Sequence, residues 1–181
     1  RMGHTVRLID DRKLRQNIGA RAGSQWIRKR ALLFRPDRIL VFKPHDVTLD
    51  VMHELASRFP TNMWYRDLTV PPDPALVARA RNLDTVFLTA GGQAPEWEAL
   101  GVPRATWLPD GADRDLDRRV GFDKKFACDV AFIGRAVSPG NDYSRAEFLV
   151  RLAERFRVRV WGQDWEPFAD RLVWDGTAVY G

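Results

Sequence analysis

The segment Asp129–Arg145, with the sequence DVAFIGRAVSPGNDYSR, decides the fold class of this chain. Its apolar start predicts a short buried strand that ends at Gly134, and the sequence from Ser144 onward predicts a helix. The polar loop between them has neither the G-x-G-x-x-G dinucleotide fingerprint nor the lysine of a Walker A motif. The loop is therefore either a phosphate-binding loop or a tight strand-to-helix turn, and the segment alone leaves both open.

Predicted strands and helices alternate at short intervals on both sides of this segment. Such alternation is typical of α/β proteins, in which right-handed helical crossovers join parallel strands. The predicted strands are Val6–Ile9, Arg38–Lys43, NMWYR (62–66), DTVFLTA (84–90), RATWLP (104–109), DVAFIG (129–134), RVRVWG (157–162) and RLVWDG (171–176). The predicted helices are Trp26–Phe34, residues 46–59 with Asp46 as the N-cap, and residues 71–83, 94–102 and 144–156.

One polar segment, Asp110–Lys125, interrupts this alternation with the sequence DGADRDLDRRVGFDKK, which has no long apolar run. It predicts a linker between two α/β domains. We assign residues 1–115 to an N-terminal domain, 116–126 to the linker and 127–181 to the start of a C-terminal domain. The last segment is shorter than a complete doubly wound domain, so we expect the second domain to be incomplete in this chain.

The composition is that of a globular protein, with 181 residues of which 45% are hydrophobic. No apolar run reaches the roughly 18 residues of a membrane-spanning helix, and residues 1–13 lack the apolar core of a signal peptide. The single cysteine, Cys128, excludes an intrachain disulfide and disfavours a cysteine-based metal site. We therefore expect a cytoplasmic protein.

The net charge of +5 suits an anionic ligand, a nucleic acid or an acidic membrane surface. Much of the excess lies in Arg12–Arg35. This stretch is either a solvated helix face or a patch for a polyanion or an anionic membrane, and a peripheral membrane contact stays open. The chain has no helix-turn-helix, zinc or RNP signature, so we expect no specific nucleic-acid partner.

Seven stretches spread over nearly the whole chain carry a family resemblance: GHTVRLID, RPDRILVFK, MWYRD, DTVFLTA, LGVPRATWLPDGAD, DVAFIG…SRAEFLVRL and VRVWGQDW. In order and spacing they resemble the CgeB-type, or spore-maturation-like, family of GT-B glycosyltransferases. No single stretch is specific, since GHTV occurs in many Rossmann-like proteins, and the ordered set carries the resemblance. It implies two Rossmann-like domains, the first on the acceptor side and the second binding the donor.

The resemblance also implies two segments that the chain does not contain. Such enzymes have a strand and a glycine-bearing loop before the position of Arg1. They also have, beyond the position of Gly181, a segment with an acidic residue that holds the donor ribose. We therefore expect the chain to be part of a longer protein.

By resemblance, the loop after Gly134 faces a nucleotide-diphosphate-sugar donor. Without a Cβ atom, Gly134 would let a diphosphate approach the backbone, and the following helix N-terminus favours an anion. Arg135 and Arg145 would add charge-assisted contacts. Gly162 and Trp165, in WGQDW at the end of the next strand, would flank the nucleobase or sugar. A plain turn, and tryptophans that pack between helix and sheet, remain the alternatives.

Catalysis by such an enzyme needs a base for the acceptor hydroxyl proton. Asp67 and His45 follow predicted strands of the first domain, and the resemblance places W-x-x-D at Asp67. Capping roles are the alternative for both. We expect no metal and no cofactor, because GT-B enzymes generally stabilise the leaving diphosphate with helix dipoles and cations.

The sequence therefore predicts a metal-independent, hexosyltransferase-like glycosyltransferase with an unknown acceptor, which would be a glycan, a protein or a small molecule. The alternative is a non-catalytic nucleotide- or sugar-binding module, derived from a truncated or degenerate GT-B enzyme.

Overall fold

The computed structural model describes residues 3–44, 46–137 and 142–176 and contains two separate parallel sheets. The chain divides into two compact units, Arg1–Asp117 and Arg118–Gly181, and each has its own sheet. The predicted α/β fold class with parallel strands is confirmed. The arrangement of the two units as a GT-B enzyme stays a prediction.

The first unit has a four-stranded sheet in the order β1-β2-β3-β4, with every neighbouring pair parallel. Its strands are β1 Ile39–Phe42, β2 Thr61–Tyr65, β3 Thr85–Leu88 and β4 Ala105–Trp107. Its helices are α1 Asp11–Ile18, α2 Ala20–Phe34, α3 Leu49–Arg58, α4 Pro74–Ala80 and α5 Ala94–Ala99. Because consecutive strands are parallel neighbours, their carboxyl ends share one edge, where ligands bind in such sheets.

One face of this sheet forms the core of the first unit. Met63, Val86 and Ala105 lie side by side in register, and all three are buried. Helices α3, α4 and α5 cover them with a continuous set of buried side chains, since each strand alternates its side chains between two faces. These helix residues are Val51, Met52, Leu55, Leu76, Val77, Ala80 and Trp97.

Local sequence signals determine where these helices begin and end. Helix α4 begins with Pro74 after Asp73, whose carboxylate accepts a hydrogen bond from the Ala75 N–H at 2.8 Å. Helix α5 ends before Gly101, which has a φ of +92° and so occupies the left-handed conformation that favours glycine. Both helices lie within the predicted ranges 71–83 and 94–102, but α4 begins three residues later and α5 ends three residues earlier than predicted.

The second unit has a three-stranded parallel sheet in the order β5-β6-β7. The strands are β5 Val130–Ile133, β6 Val158–Trp161 and β7 Val173–Trp174, and helix α6, Ser144–Ala153, connects the first two. A separate hydrophobic core lies under this sheet. It consists of Ala136, Ala146, Leu149, Val158, Val160, Trp165, Phe168 and Leu172.

The predicted strand Val6–Ile9 is wrong. The segment is irregular, pairs with no described strand, and leaves Val6 78% and Leu8 92% exposed. An apolar run becomes a strand only when a neighbouring strand supplies hydrogen-bond partners. In the described part of the chain, β1 pairs only with β2, so this run stays outside the sheet.

Two details of the predicted helices also differ. Thr48, not Asp46, is the N-cap residue of α3, and the Asp46 carboxylate instead forms an ion pair with Arg15 at 3.0 Å. Helix α1 was not predicted. It buries no residue, so its sequence lacks the apolar face by which an amphipathic helix is recognised. It begins at an N-cap, Asp10, which accepts a hydrogen bond from the Lys13 N–H at 3.0 Å.

A carboxylate–guanidinium pair joins the two chain segments that lead into β5 and β6. The Asp129 carboxylate accepts hydrogen bonds from the backbone N–H, Nε and a terminal nitrogen of Arg157, at 2.8, 3.1 and 2.9 Å. These hydrogen bonds to the charged form lower the pKa of Asp129 to about 2, from an ordinary value of about 4.

We expect this pair to make the second unit sensitive to acid. Because the folded-state pKa is depressed, its stabilising contribution is present above about pH 4 and is lost as the pH falls through about 2. Asp129→Asn should lower the melting temperature at neutral pH and flatten the decline between about pH 4 and 2. Thermal unfolding followed across this pH range would check it. An unchanged acid decline in Asp129→Asn would show that other carboxylates cause it.

Candidate functional site

The carboxyl ends of β5 and β6 meet around the carbonyl oxygen of Gly134. This oxygen accepts a hydrogen bond from the buried indole Nε1–H of Trp165 at 2.8 Å. The Gly134 N–H donates to the Trp161 carbonyl at 2.8 Å, which continues the ladder between the two strands. The predicted donor-binding residues Gly134, Gly162 and Trp165 therefore lie together at one sheet edge.

Gly162 is required here by the close approach of two backbones. Its φ of +134° is rarely adopted by other residues, and a Cβ atom at this position would collide with the carbonyl group of Gly134. Gly162 also accepts a hydrogen bond from the Trp174 indole at 3.1 Å. The role of Gly162 seen in the structure is thus to let β5 and β6 end side by side.

Trp165 lies on the inner side of this edge. It is 0% exposed, and its ring packs against Phe132 and Phe168 with centroid distances of 5.6 and 6.4 Å. A fully buried indole offers no surface to a nucleobase or sugar. This position favours the packing alternative for Trp165, which supports the loop from beneath and does not flank a ligand.

The two predicted arginines lie on the outer side of the loop and are linked through its backbone. Arg145 donates from a terminal nitrogen to the carbonyl oxygen of Arg135 at 3.1 Å, and its guanidinium lies 5.7 Å from the centre of the Phe132 ring. Arg135 forms an ion pair with Asp164 at 2.7 Å. Both side chains are exposed, and the Arg145 guanidinium lies against the backbone at the start of the loop, where the Arg135 side chain begins.

The N-terminus of α6 already has a carboxylate near it. Asp142 accepts hydrogen bonds from the Ser144 N–H and hydroxyl, each at 2.8 Å. These bonds, the backbone one foremost, lower the pKa of Asp142, and the nearby Arg145 adds to the effect. Residues 138–141, the middle of the loop, lie outside the described residues. The Asp142 carboxylate therefore already satisfies the Ser144 N–H at this helix end.

The first unit has its own candidate site at the carboxyl ends of β1 and β2. Asp67 forms an ion pair with Lys43 at 2.5 Å, and Arg66 forms one with Asp110 at 2.6 Å. Beside them is an open cleft of about 380 Å³. Its lining combines carboxylates, cations and two aromatic rings: Asp10, Asp11, Arg12, Phe42, Lys43, Asp46, Trp64 and Arg66.

Hydrogen bonds hold the backbone on both sides of Asp67. The Thr89 hydroxyl donates to the Arg66 carbonyl at 2.8 Å, and the amide of buried Gln93 donates to the Thr69 carbonyl at 2.5 Å. Asp67 thus stands on a fixed segment at the strand ends, as predicted, with its carboxylate half-exposed. His45, the other predicted base, lies outside the described residues.

Sequence reasoning missed the ion-pair partners Lys43 and Asp164. Both have left-handed backbone conformations, with φ values of +43° and +66°. Non-glycine residues adopt this conformation at a cost that the surrounding structure must offset, and they concentrate at functional sites. Lys43 ends one predicted strand and Asp164 follows another, which was the one available signal. Their ion-pair partners lie 24 and 29 positions away in the chain.

No protein-family model matches the chain, and no curated protein matches it either. Within residues 3–44, 46–137 and 142–176, no three His, Cys, Asp or Glu side chains are grouped to hold a metal ion. None of the helices in these ranges is both long and apolar enough to cross a membrane.

The backbone contact at Gly162 generates a stability prediction. Gly162→Ala should destabilise the second unit by about 3 kcal/mol, because it combines a disfavoured φ with a collision against the Gly134 carbonyl. Gly111→Ala is the control, since nothing lies within 4 Å of a Cβ atom there. Chemical denaturation of both variants would measure the difference. Equal stability of the two would mean that β5 and β6 do not need this approach.

Proposed function

We propose that the chain belongs to a glycosyltransferase that moves a sugar from a nucleotide-diphosphate donor to an acceptor hydroxyl. The observation that supports it most is the hydrogen bond from Arg145 to the Arg135 carbonyl, which places two exposed arginines at one loop at the carboxyl end of a parallel strand. A diphosphate needs oriented N–H groups and cations at such an edge. The resemblance to the CgeB-type family agrees with this assignment.

The arginines can exchange their present partners for a diphosphate at small cost. The Arg135–Asp164 pair is exposed, and exposed ion pairs contribute only about 0–1 kcal/mol. A diphosphate carries more negative charge than one carboxylate and can accept bonds from both guanidinium groups. The Gly134 loop would then hold the donor by its phosphates, with Trp165 keeping the loop in place from below.

In the transfer step, the acceptor oxygen forms a bond to the anomeric carbon while the bond to the donor diphosphate breaks. We assign the acceptor proton to Asp67, which stands at a strand end of the first unit. Lys43 must release the Asp67 carboxylate before the acceptor hydroxyl reaches it. Arg135 and Arg145 would stabilise the negative charge that develops on the leaving diphosphate, so the proposed step uses no metal.

The second candidate is a non-catalytic nucleotide- or sugar-binding module. The Lys43–Asp67 ion pair favours it, because a carboxylate already paired at 2.5 Å has a structural role without any reaction. Both candidates require the Gly134 loop to bind a nucleotide diphosphate, and only the enzyme requires Asp67. We place either protein in the cytoplasm, where the lone Cys128 stays reduced.

Calorimetric titration with UDP-, GDP- and dTDP-sugars tests the proposal first. Binding of one nucleotide class, followed by release of its diphosphate when an acceptor is added, supports the enzyme. Binding without release supports the binding module. A protein that binds none of these donors contradicts both.

Arg145→Ala should weaken binding of the selected nucleoside diphosphate by about 1.5–3 kcal/mol, the range for a hydrogen bond to a charged group. Binding of the free nucleoside should hardly change, because it lacks the phosphates. Arg151→Ala, at the far end of the same helix, is the control and should bind both as the parent does. Equal loss of nucleoside and diphosphate binding would instead point to a disturbed loop.

Asp67→Asn should lower kcat by roughly 10²–10⁴ while donor binding is kept, since an amide cannot accept the acceptor proton. The control is Asp37→Asn, an exposed carboxylate before β1. Steady-state transfer rates and donor affinity are measured on the same samples. If Asp67→Asn keeps the kcat of the parent, Asp67 is not the base, and its role is limited to the ion pair with Lys43.

A further inference from the structure

Helix α2 is fixed to the first unit by one face. Ser24 on that face is buried, donates to the Ala20 carbonyl at 2.7 Å and accepts a hydrogen bond from the Thr48 N–H at 2.9 Å. Ile27 and Ala31, one and two turns later, pack against the core. The opposite face therefore has a defined direction and points away from the core of this unit.

This opposite face combines apolar and cationic side chains. Trp26, Lys29, Arg30 and Leu33 follow one another at helical spacing, and we call them the α2 outer face. Trp26 is 41% and Leu33 69% exposed, and the Arg30 guanidinium lies 5.3 Å from the centre of the Trp26 ring. Exposed aromatic and aliphatic side chains together with cations on one face are the composition of an interfacial helix.

The charge of the chain is concentrated around this helix. Residues 1–35 contain ten basic and two acidic residues, a net charge of +8. The other 146 residues contain 19 basic and 22 acidic residues, a net charge of −3. The positive charge that gives the whole chain its basic character thus lies entirely in the segment that contains α1 and α2.

We propose that the α2 outer face binds the surface of an anionic phospholipid bilayer. An interfacial helix lies parallel to the membrane, with aromatic and aliphatic side chains in the headgroup region and basic residues on lipid phosphates. Trp26 and Leu33 supply the first kind of contact, and Lys29 and Arg30 supply the second. A nucleic acid fits less well, since exposed Leu33 has no role in contacts to a phosphate backbone. This membrane contact is independent of donor binding at Gly134.

Vesicle co-sedimentation of the 181-residue chain tests the proposal. The chain should bind vesicles of mixed phosphatidylcholine and phosphatidylglycerol, bind phosphatidylcholine alone much less, and dissociate at high salt. Equal binding to both vesicle types, or no binding to the anionic ones, would overturn the proposal.

Variants then separate the two kinds of contact. Lys29→Gln combined with Arg30→Gln should weaken binding to the mixed vesicles by about 30-fold, and Leu33→Gln by roughly tenfold. Matched controls on helix α6 are Phe148→Gln and Arg151→Gln, which should bind as the parent does. Circular dichroism confirms that each variant is folded. Controls that lose as much binding as the α2 variants would overturn the assignment to this face.

Quenching of tryptophan fluorescence by bromine-labelled lipid distinguishes a membrane from other polyanions. Quenching in the parent should fall in Trp26→Phe, because Trp26 would be the indole closest to the acyl chains. A duplex RNA serves as the competing polyanion. If it displaces the protein from vesicles, and if Leu33→Gln does not change the affinity for the RNA, the α2 outer face is a general polyanion site. That result would contradict the membrane assignment.

Discussion

The carbonyl oxygen of Gly134 is the point on which the second unit depends. Two strands can end side by side there only because position 162 has no side chain and because Trp165 supplies a buried hydrogen-bond donor. A carbonyl left without a partner in this core would cost about 1–3 kcal/mol. The hydrogen bond from Trp165 to Gly134 also fixes the backbone just before Arg135. The packing of Trp165 on the buried side of the loop therefore helps to position Arg135 on the exposed side.

The two units have similar ion pairs at the carboxyl ends of their strands. In each, a residue at the end of a parallel strand takes a left-handed conformation and forms an exposed ion pair with a side chain from another strand end. Lys43 pairs with Asp67 in the first unit, and Asp164 pairs with Arg135 in the second. Exposed pairs of this kind contribute little stability, so they are easily exchanged for a charged ligand. This makes both strand edges suited to binding, as the proposed donor and acceptor roles require.

Much of the candidate site could be predicted from the sequence, because the end of an apolar run marks the end of a strand. Gly134, Arg135 and Gly162 were assigned to strand ends, and the structure places them at one edge. The sequence could not show that Trp165 turns inward, since WGQDW contains two indoles and only packing decides which is buried. The partner of Asp67 was equally hidden, because Lys43 reaches it from a different strand.

The sequence by itself determined the α/β class, because apolar strands and amphipathic helices each leave a local periodic pattern. It likewise determined the concentration of positive charge before Arg35. Only the tertiary structure decided that Val6–Ile9 stays out of the sheet while the similar run Ile39–Phe42 enters it. Arg7 interrupts the first run, whereas Ile39–Phe42 is wholly apolar, but the pattern of residues alone allows a strand in both places. A strand needs hydrogen bonds from a neighbour distant in the chain, and β2 supplies them to one run alone.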